Sequence, residues 1–126
     1  MKKVHLVDDE FALTDTLKEF LESEGYAVEC FGNGKEAYEA MLQSPPDLVV
    51  SDIMMPLMDG KALLRAMRAN PSLKAIPVIL ASSVRRQVAL PDSADLPEFS
   101  AFLRKPFWLE EFLSLVVRLI GPGGQT

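Results

Sequence analysis

Apolar residues recur along this 126-residue chain in two rhythms. Five short segments, at residues 4–7, 26–31, 47–52, 76–83 and 99–104, are dense in apolar side chains. That pattern predicts strands buried on both faces, because a strand with one wet face would alternate. Between them the apolar positions move to a spacing of three and four. Leu13, Leu17, Phe20 and Leu21 share one face of a helix predicted over 11–24, with Gly25 as its stop. Ala37, Ala40 and Met41 do the same over 35–43, ended by Pro45 and Pro46. Leu63, Ala66 and Met67 mark a third helix that Asp59 can cap and that runs through Asn70. Leu109, Phe112, Leu113, Val116, Leu119 and Ile120 mark a last one over 109–120.

Strand and helix alternate with short links, so the strands pair in parallel through crossovers. The expected fold class is α/β: a doubly wound five-stranded parallel sheet with helices on both faces. One crossover is irregular. Residues 84–90 can open a helix, but Pro91 and Pro97 obstruct it, and Asp92, Ser93 and Asp95 favour turns. A short or irregular fourth helix, more mobile than the rest, is expected over 84–98. One domain over 1–120 and a flexible C-terminal tail or linker stub over 121–126 complete the organisation.

Composition narrows the function. With 48% apolar and 25% charged residues, the chain is an ordinary globular domain that needs no staples. Thirteen basic and eighteen acidic residues leave a net charge of −5, which argues against a nucleic-acid-binding face. The same excess of carboxylates suits a divalent cation. Cys30 is the single cysteine and can form no disulfide within the chain. No apolar run approaches the roughly 20 residues of a membrane span, and Asp8 cuts short the run after Lys2 and Lys3. A cytoplasmic protein with no membrane partner is expected. His5, inside the first strand, reads as a packed core or edge residue.

Candidate chemistry gathers at the carboxyl ends of the predicted strands, where ligands bind in open α/β sheets. Strand one ends in Asp8-Asp9-Glu10, strand three in Asp52, strand four in Ser82, and strand five in Lys105-Pro106. Three close carboxylates repel one another unless a divalent cation and an ammonium neutralise them. Mg²⁺ takes one or two carboxylates and leaves room for a phosphate oxygen. A phosphoryl group can then approach Asp52, and in-line attack by that carboxylate gives an acyl phosphate.

On these residues the chain resembles a response-regulator receiver domain of two-component signalling. The matching stretches are Val7-Asp8-Asp9-Glu10, residues 46–60, residues 77–83 and Lys105-Pro106-Phe107, and 84–98 is the part left outside the likeness. The resemblance implies a flavodoxin-like strand order of 2-1-3-4-5. It implies that Asp52 accepts a phosphoryl group from a phosphohistidine on a sensor histidine kinase or histidine phosphotransfer protein. Asp9, Asp52 and the backbone carbonyl of Met54 would ligate Mg²⁺, with Asp8 acting through water. Lys105 would pair with phosphoryl oxygens, and Ser82 would close onto them. Phe102 would be the aromatic switch residue on a face of helix four, strand five and helix five that meets an unidentified output protein. A cis Lys105-Pro106 bond and a monomer or weak dimer are also expected.

Several positions depart from the common pattern. Phe102 lacks a hydroxyl, so its switch would be one of packing alone. Met54 and Val84 border the expected route of the attacking water and would lengthen the life of the phosphoryl group. Trp108 stands where a polar cap would start helix five. Arg85, Arg86 and Arg104 read as solvated charges near the acidic rim. Two alternatives remain: a pseudo-receiver that binds partners without phosphorylation, and a haloacid-dehalogenase-like phosphatase. The first leaves the full set of acids, hydroxyl and lysine without a purpose. The second needs another acid two residues after Asp52, where Met54 stands. A flavodoxin-like cofactor binder is disfavoured because Asp8-Asp9-Glu10 would repel a cofactor phosphate.

Overall fold

The computed structural model describes residues 1–124. In chain order it contains β1 (Lys3–Val7), α1 (Phe11–Ser23), β2 (Ala27–Phe31), α2 (Gly34–Gln43), β3 (Leu48–Asp52) and α3 (Gly60–Ala69). There follow β4 (Val78–Ser82), α4 (Arg86–Ala89), a 3₁₀ turn at Ser93–Asp95, β5 (Ala101–Arg104) and α5 (Leu109–Ile120). All neighbouring strands pair in parallel, in the order β2-β1-β3-β4-β5. This is the doubly wound α/β architecture expected from the pattern of apolar runs.

The alternation of side chains divides the core in two. Val4, Leu6, Val50, Ile79 and Leu103 face α1 and α5, meeting Leu17, Leu21, Phe112 and Val116. Val7, Val49, Val78 and Leu80 face the other way, against Met41, Leu63, Leu64, Met67 and Leu90. Both layers are closed to water, which is why the strands read as apolar runs and not as alternating ones.

Strands four and five are shorter than predicted. Ile76 spends its amide on Leu73 O (3.1 Å) in a turn, and Pro77 has no amide to give. Ser100 accepts the Val78 amide on its hydroxyl (3.2 Å), so regular pairing starts one residue later, at Ala101. Asn33 and Asp59 cap α2 and α3, accepting the amides of Glu36 (2.9 Å) and Ala62 (2.8 Å).

The segment over 84–98 is as irregular as its prolines predict. The four-residue α4 buries none of its own side chains. Leu90, immediately after it, is only 2% exposed and anchors the segment in the core. Arg68 holds the far end, donating from Nε to Glu98 O (2.8 Å) and from Nη1 to Ile76 O (2.8 Å) and Lys74 O (3.1 Å). Arg86 is exposed as expected, and its guanidinium also lies 5.1 Å from the centroid of the Phe99 ring, just ahead of β5. Arg85 and Arg104 are exposed, as expected.

The expected frayed tail is docked over its described part. Tyr26 donates its hydroxyl to Gly121 O (2.6 Å), Lys2 Nζ reaches Pro122 O (3.1 Å), and the Gly124 amide bonds Gly25 O (2.9 Å). Gly25 has a φ of +92°, and a Cβ there would lie 2.2 Å from Gly124 O. Both the turn and the docking therefore need glycine. Gln125 and Thr126 lie outside the described residues.

Candidate functional site

Parallel register carries the carboxyl ends of β1, β3, β4 and β5 to one rim. Val7 pairs with Ser51, Asp52 with Ala81, and Ser82 with Arg104. The Lys105 amide continues the ladder to Ser82 O (2.8 Å), and the Lys105-Pro106 peptide is cis. Beyond β3 the chain turns back so tightly that the Gly60 amide bonds Ile53 O (2.9 Å). A Cβ on Gly60 would meet Asp52 O at 2.3 Å, so glycine lets α3 begin directly against the end of β3.

Asp8, Asp9 and Asp52 each offer a carboxylate oxygen, and these atoms lie within 4.8 Å of one another. Asp8 is buried; its Oδ1 accepts the Glu10 amide (2.9 Å) and its Oδ2 accepts Lys105 Nζ (2.5 Å). Lys105 Nζ is 3.5 Å from Asp52 Oδ1 and 3.8 Å from Glu10 Oε1. Asp52 Oδ1 also accepts the Ile53 amide (3.0 Å). Hard oxygen donors in this number suit Mg²⁺ better than a softer transition metal.

The charges perturb one another. Burial, then the charge of Asp8, raises the Asp52 carboxyl above its ordinary range, and Lys105 and the Ile53 amide only partly offset this. For Lys105, burial alone would lower the ammonium, but the hydrogen bond and charge of Asp8, then Asp52 and Glu10, more than offset it, and the net shift is upward. The lysine is thus firmly charged.

These groups form one end of a cavity of about 590 Å³, which Ser82, Ser83 and Met54 also line. Ser82 is buried, and its Oγ accepts the Val84 amide (3.2 Å). Met54 is 75% exposed on the cavity lip, whereas Val84 is not among the lining residues. Phe102 is half-buried beside the groove between β5 and α5. Trp108 caps α5 with no side-chain hydrogen bond and is 76% exposed. Glu10 is a further partner of Lys105, a role that its place directly after the two acids does not single out. Leu13, Leu17 and Leu109 lie on helix faces that read as core, and they also wall the cavity.

The fold and this cluster define a flavodoxin-like α/β domain with an acidic, lysine-capped cleft at the carboxyl ends of its strands. The chain belongs to the response regulator receiver domain family, whose model matches residues 4–117 and so runs through 84–98 as well. It is 35% identical over 117 residues to the transcriptional regulatory protein CrdR of Helicobacter pylori, covering 93% of this chain and 54% of that protein. It is 35% identical over 121 residues to the response regulator receiver protein CpdR of Brucella abortus, covering 95% of this chain and 98% of that one. The chain spans about half the length of several other curated relatives. Among solved structures it resembles the receiver domain of a signal transduction histidine kinase from Syntrophus aciditrophicus (TM-score 0.87, 34% identity, 95% of this chain and 90% of that one). It also resembles the chemotaxis response regulator CheY4 of Vibrio cholerae (TM-score 0.85, 28% identity, 94% and 98%). Receiver domains are regulatory signalling domains of two-component systems. Among the described residues no helix is long and apolar enough to cross a membrane.

Proposed function

We propose that this domain is a phosphorylation-dependent signalling module in which Asp52 accepts a phosphoryl group from a phosphohistidine of a sensor kinase or phosphotransfer protein. The carrying observation is that Asp52 shares one cavity with Asp8, Asp9 and Lys105, the lysine 3.5 Å from its carboxylate. Asp9, Asp52 and the backbone carbonyl of Met54 would hold Mg²⁺, with Asp8 acting through water. The ion, when bound, supplies positive charge that phosphoryl oxygens need beside three acids. Membership of the receiver family and the oxygen donor set both support this.

The protein's own groups divide the work. Ionised Asp52 is the nucleophile, and the Ile53 amide orients its Oδ1. Lys105 stabilises charge on the phosphoryl oxygens as the bond to the donor lengthens. Ser82 leaves the Val84 amide to donate to a phosphoryl oxygen, which draws the β4–α4 loop inward. Phe102 then turns toward the space so opened, and the surface of α4, β5 and α5 changes shape for an output protein. The receiver occupies residues 1–120 and works by contact, not by turnover. Met54, on the lip, restricts water and prolongs the phosphorylated state.

Incubation with acetyl phosphate and Mg²⁺ tests this. Mass analysis should find one added phosphoryl group on the parent and none on Asp52→Asn. Equal labelling of both proteins, or of neither, would remove the reading.

A further inference from the structure

The cavity holding Asp52 extends well past its acids. Its other walls are Leu13 and Leu17 from α1, Phe107 from the loop after β5, and Leu109 at the start of α5. Leu17 is 4% exposed, and Phe107 is tilted against the buried Phe112 with ring centroids 5.4 Å apart, so this wall is part of the core and is already formed. Cavities of roughly 300–1,000 Å³, apolar apart from a few convergent polar groups, are the usual form of small-molecule sites. A phosphoryl group uses only the acidic end.

We propose that the apolar annex seats the organic part of a small phosphodonor, and that the preferred class is an acyl phosphate with an uncharged aromatic or branched hydrocarbon acyl group. The proposal rests on Asp52 being the phosphoacceptor. The wall itself selects the class. Thr16, at the exposed rim, is the one hydroxyl beside these hydrocarbon side chains, so a sugar would leave most of its own hydroxyls unpaired against them. Asp8, Asp9 and Glu10 repel a second anionic group on the donor. In the transfer, a carboxylate oxygen of Asp52 forms a bond to phosphorus, and the bond from phosphorus to the acyl oxygen breaks. The bonding pair stays on that oxygen, and the acyl group departs as a carboxylate. Such a leaving group needs no proton, whereas an ester's alkoxide would need one. The leucines and Phe107 do not touch phosphorus; they raise the occupancy of the donor.

The test uses the whole chain with Mg²⁺. Asp52 labelling is followed at increasing benzoyl phosphate and acetyl phosphate, on the parent and on Thr16→Trp, whose exposed helical position lets an indole cover the annex. The parent should half-saturate at an about tenfold lower concentration of benzoyl phosphate, the order expected for burying a ring. Thr16→Trp should bring the two donors together. In a reaction-free arm with Mg²⁺, phenylphosphonate should shift the Leu13 and Leu109 methyl resonances more than methylphosphonate does at equal concentration. Equal half-saturation on the parent, or equal methyl shifts, overturns the annex while leaving Asp52 as phosphoacceptor. Labelling by neither donor overturns both readings.

Discussion

Lys105 Nζ stands 2.5 Å from Asp8 Oδ2 but 3.5 Å from Asp52 Oδ1. Lys105 is therefore committed first to an acid that is not the proposed phosphoacceptor. Asp52 keeps a partly buried charge beside Asp8, and its carboxyl is raised by burial and by that neighbour. A raised carboxyl takes up its proton more readily folded than unfolded, so the ionised form at pH 7 costs stability. Asp52→Asn should stabilise the metal-free fold by about 1 kcal/mol, or roughly 4 °C. Added Mg²⁺ should raise the parent's Tm and not the variant's, erasing the gap. Thermal melts in chelator and in Mg²⁺ measure both, and a lower Tm for Asp52→Asn in chelator would contradict the account.

In the proposed mechanism Ser82 couples chemistry to shape. Its Oγ is the acceptor for the Val84 amide at 3.2 Å, and Val84 is 41% exposed, so water can replace that partner cheaply. Ser82→Ala should therefore cost less than about 1 kcal/mol of stability. It should still take up phosphate on Asp52, because Lys105 and the acids are untouched. The response of Phe102 should disappear. Fluorine NMR of ring-labelled phenylalanine, before and after acetyl phosphate, would show a phosphorylation-dependent shift in the parent and none in Ser82→Ala.

Leu57 has a φ of +66°, a left-handed conformation costly for a residue with a γ-branched side chain, yet the side chain is 82% exposed. No packing repays the strain. Asparagine adopts this conformation more readily without glycine's extra freedom in the unfolded chain. Leu57→Asn should raise stability by about 1 kcal/mol in urea denaturation with an unchanged m-value. A loss would mean that Leu57 makes a contact its exposure does not suggest.

Much of this arrangement was legible in the sequence because strands buried on both faces advertise themselves as apolar runs. Asp52 and Lys105 could be assigned to one rim once those strands were read as parallel, since parallel strands share their carboxyl ends. What escaped was set by contacts across the fold. Arg86 turns to Phe99, thirteen positions on, and no local pattern encodes that meeting. The docking of Gly124 on Gly25 joins two glycines far apart in the chain, one after α1 and one after α5. Leu13 and Leu17 fell on the apolar face of α1 as expected, but helical period cannot say that part of this face borders a cavity.

His5 was expected to be a packed core or edge residue, and its surroundings turn it into a probe of acid stability. It is fully buried in β1, edge-on to Phe31 with centroids 4.9 Å apart, and both ring nitrogens lack a hydrogen-bond partner among the described residues. Glu29 Oε1 is 4.0 Å from Nε2, too long for a hydrogen bond, and Lys3 lies 3.7 Å from the same carboxylate oxygen. Burial lowers the imidazole to about 4; Glu29 opposes this, and Lys3 adds to it. An unfolded histidine titrates near 6.5. Between those values the unfolded chain binds a proton that the folded one refuses, so stability falls as pH drops from about 6.5 toward 4. From pH 7 to pH 5 the loss through this one group should be about 2 kcal/mol. His5→Leu keeps a similar volume and removes the titration. Urea denaturation of both proteins at pH 7, 6 and 5 isolates the effect, because every other group cancels in the difference. The parent should lose about 2 kcal/mol more than the variant over that range. Parallel losses would mean that the imidazole takes up its proton as readily in the folded protein as in the unfolded chain.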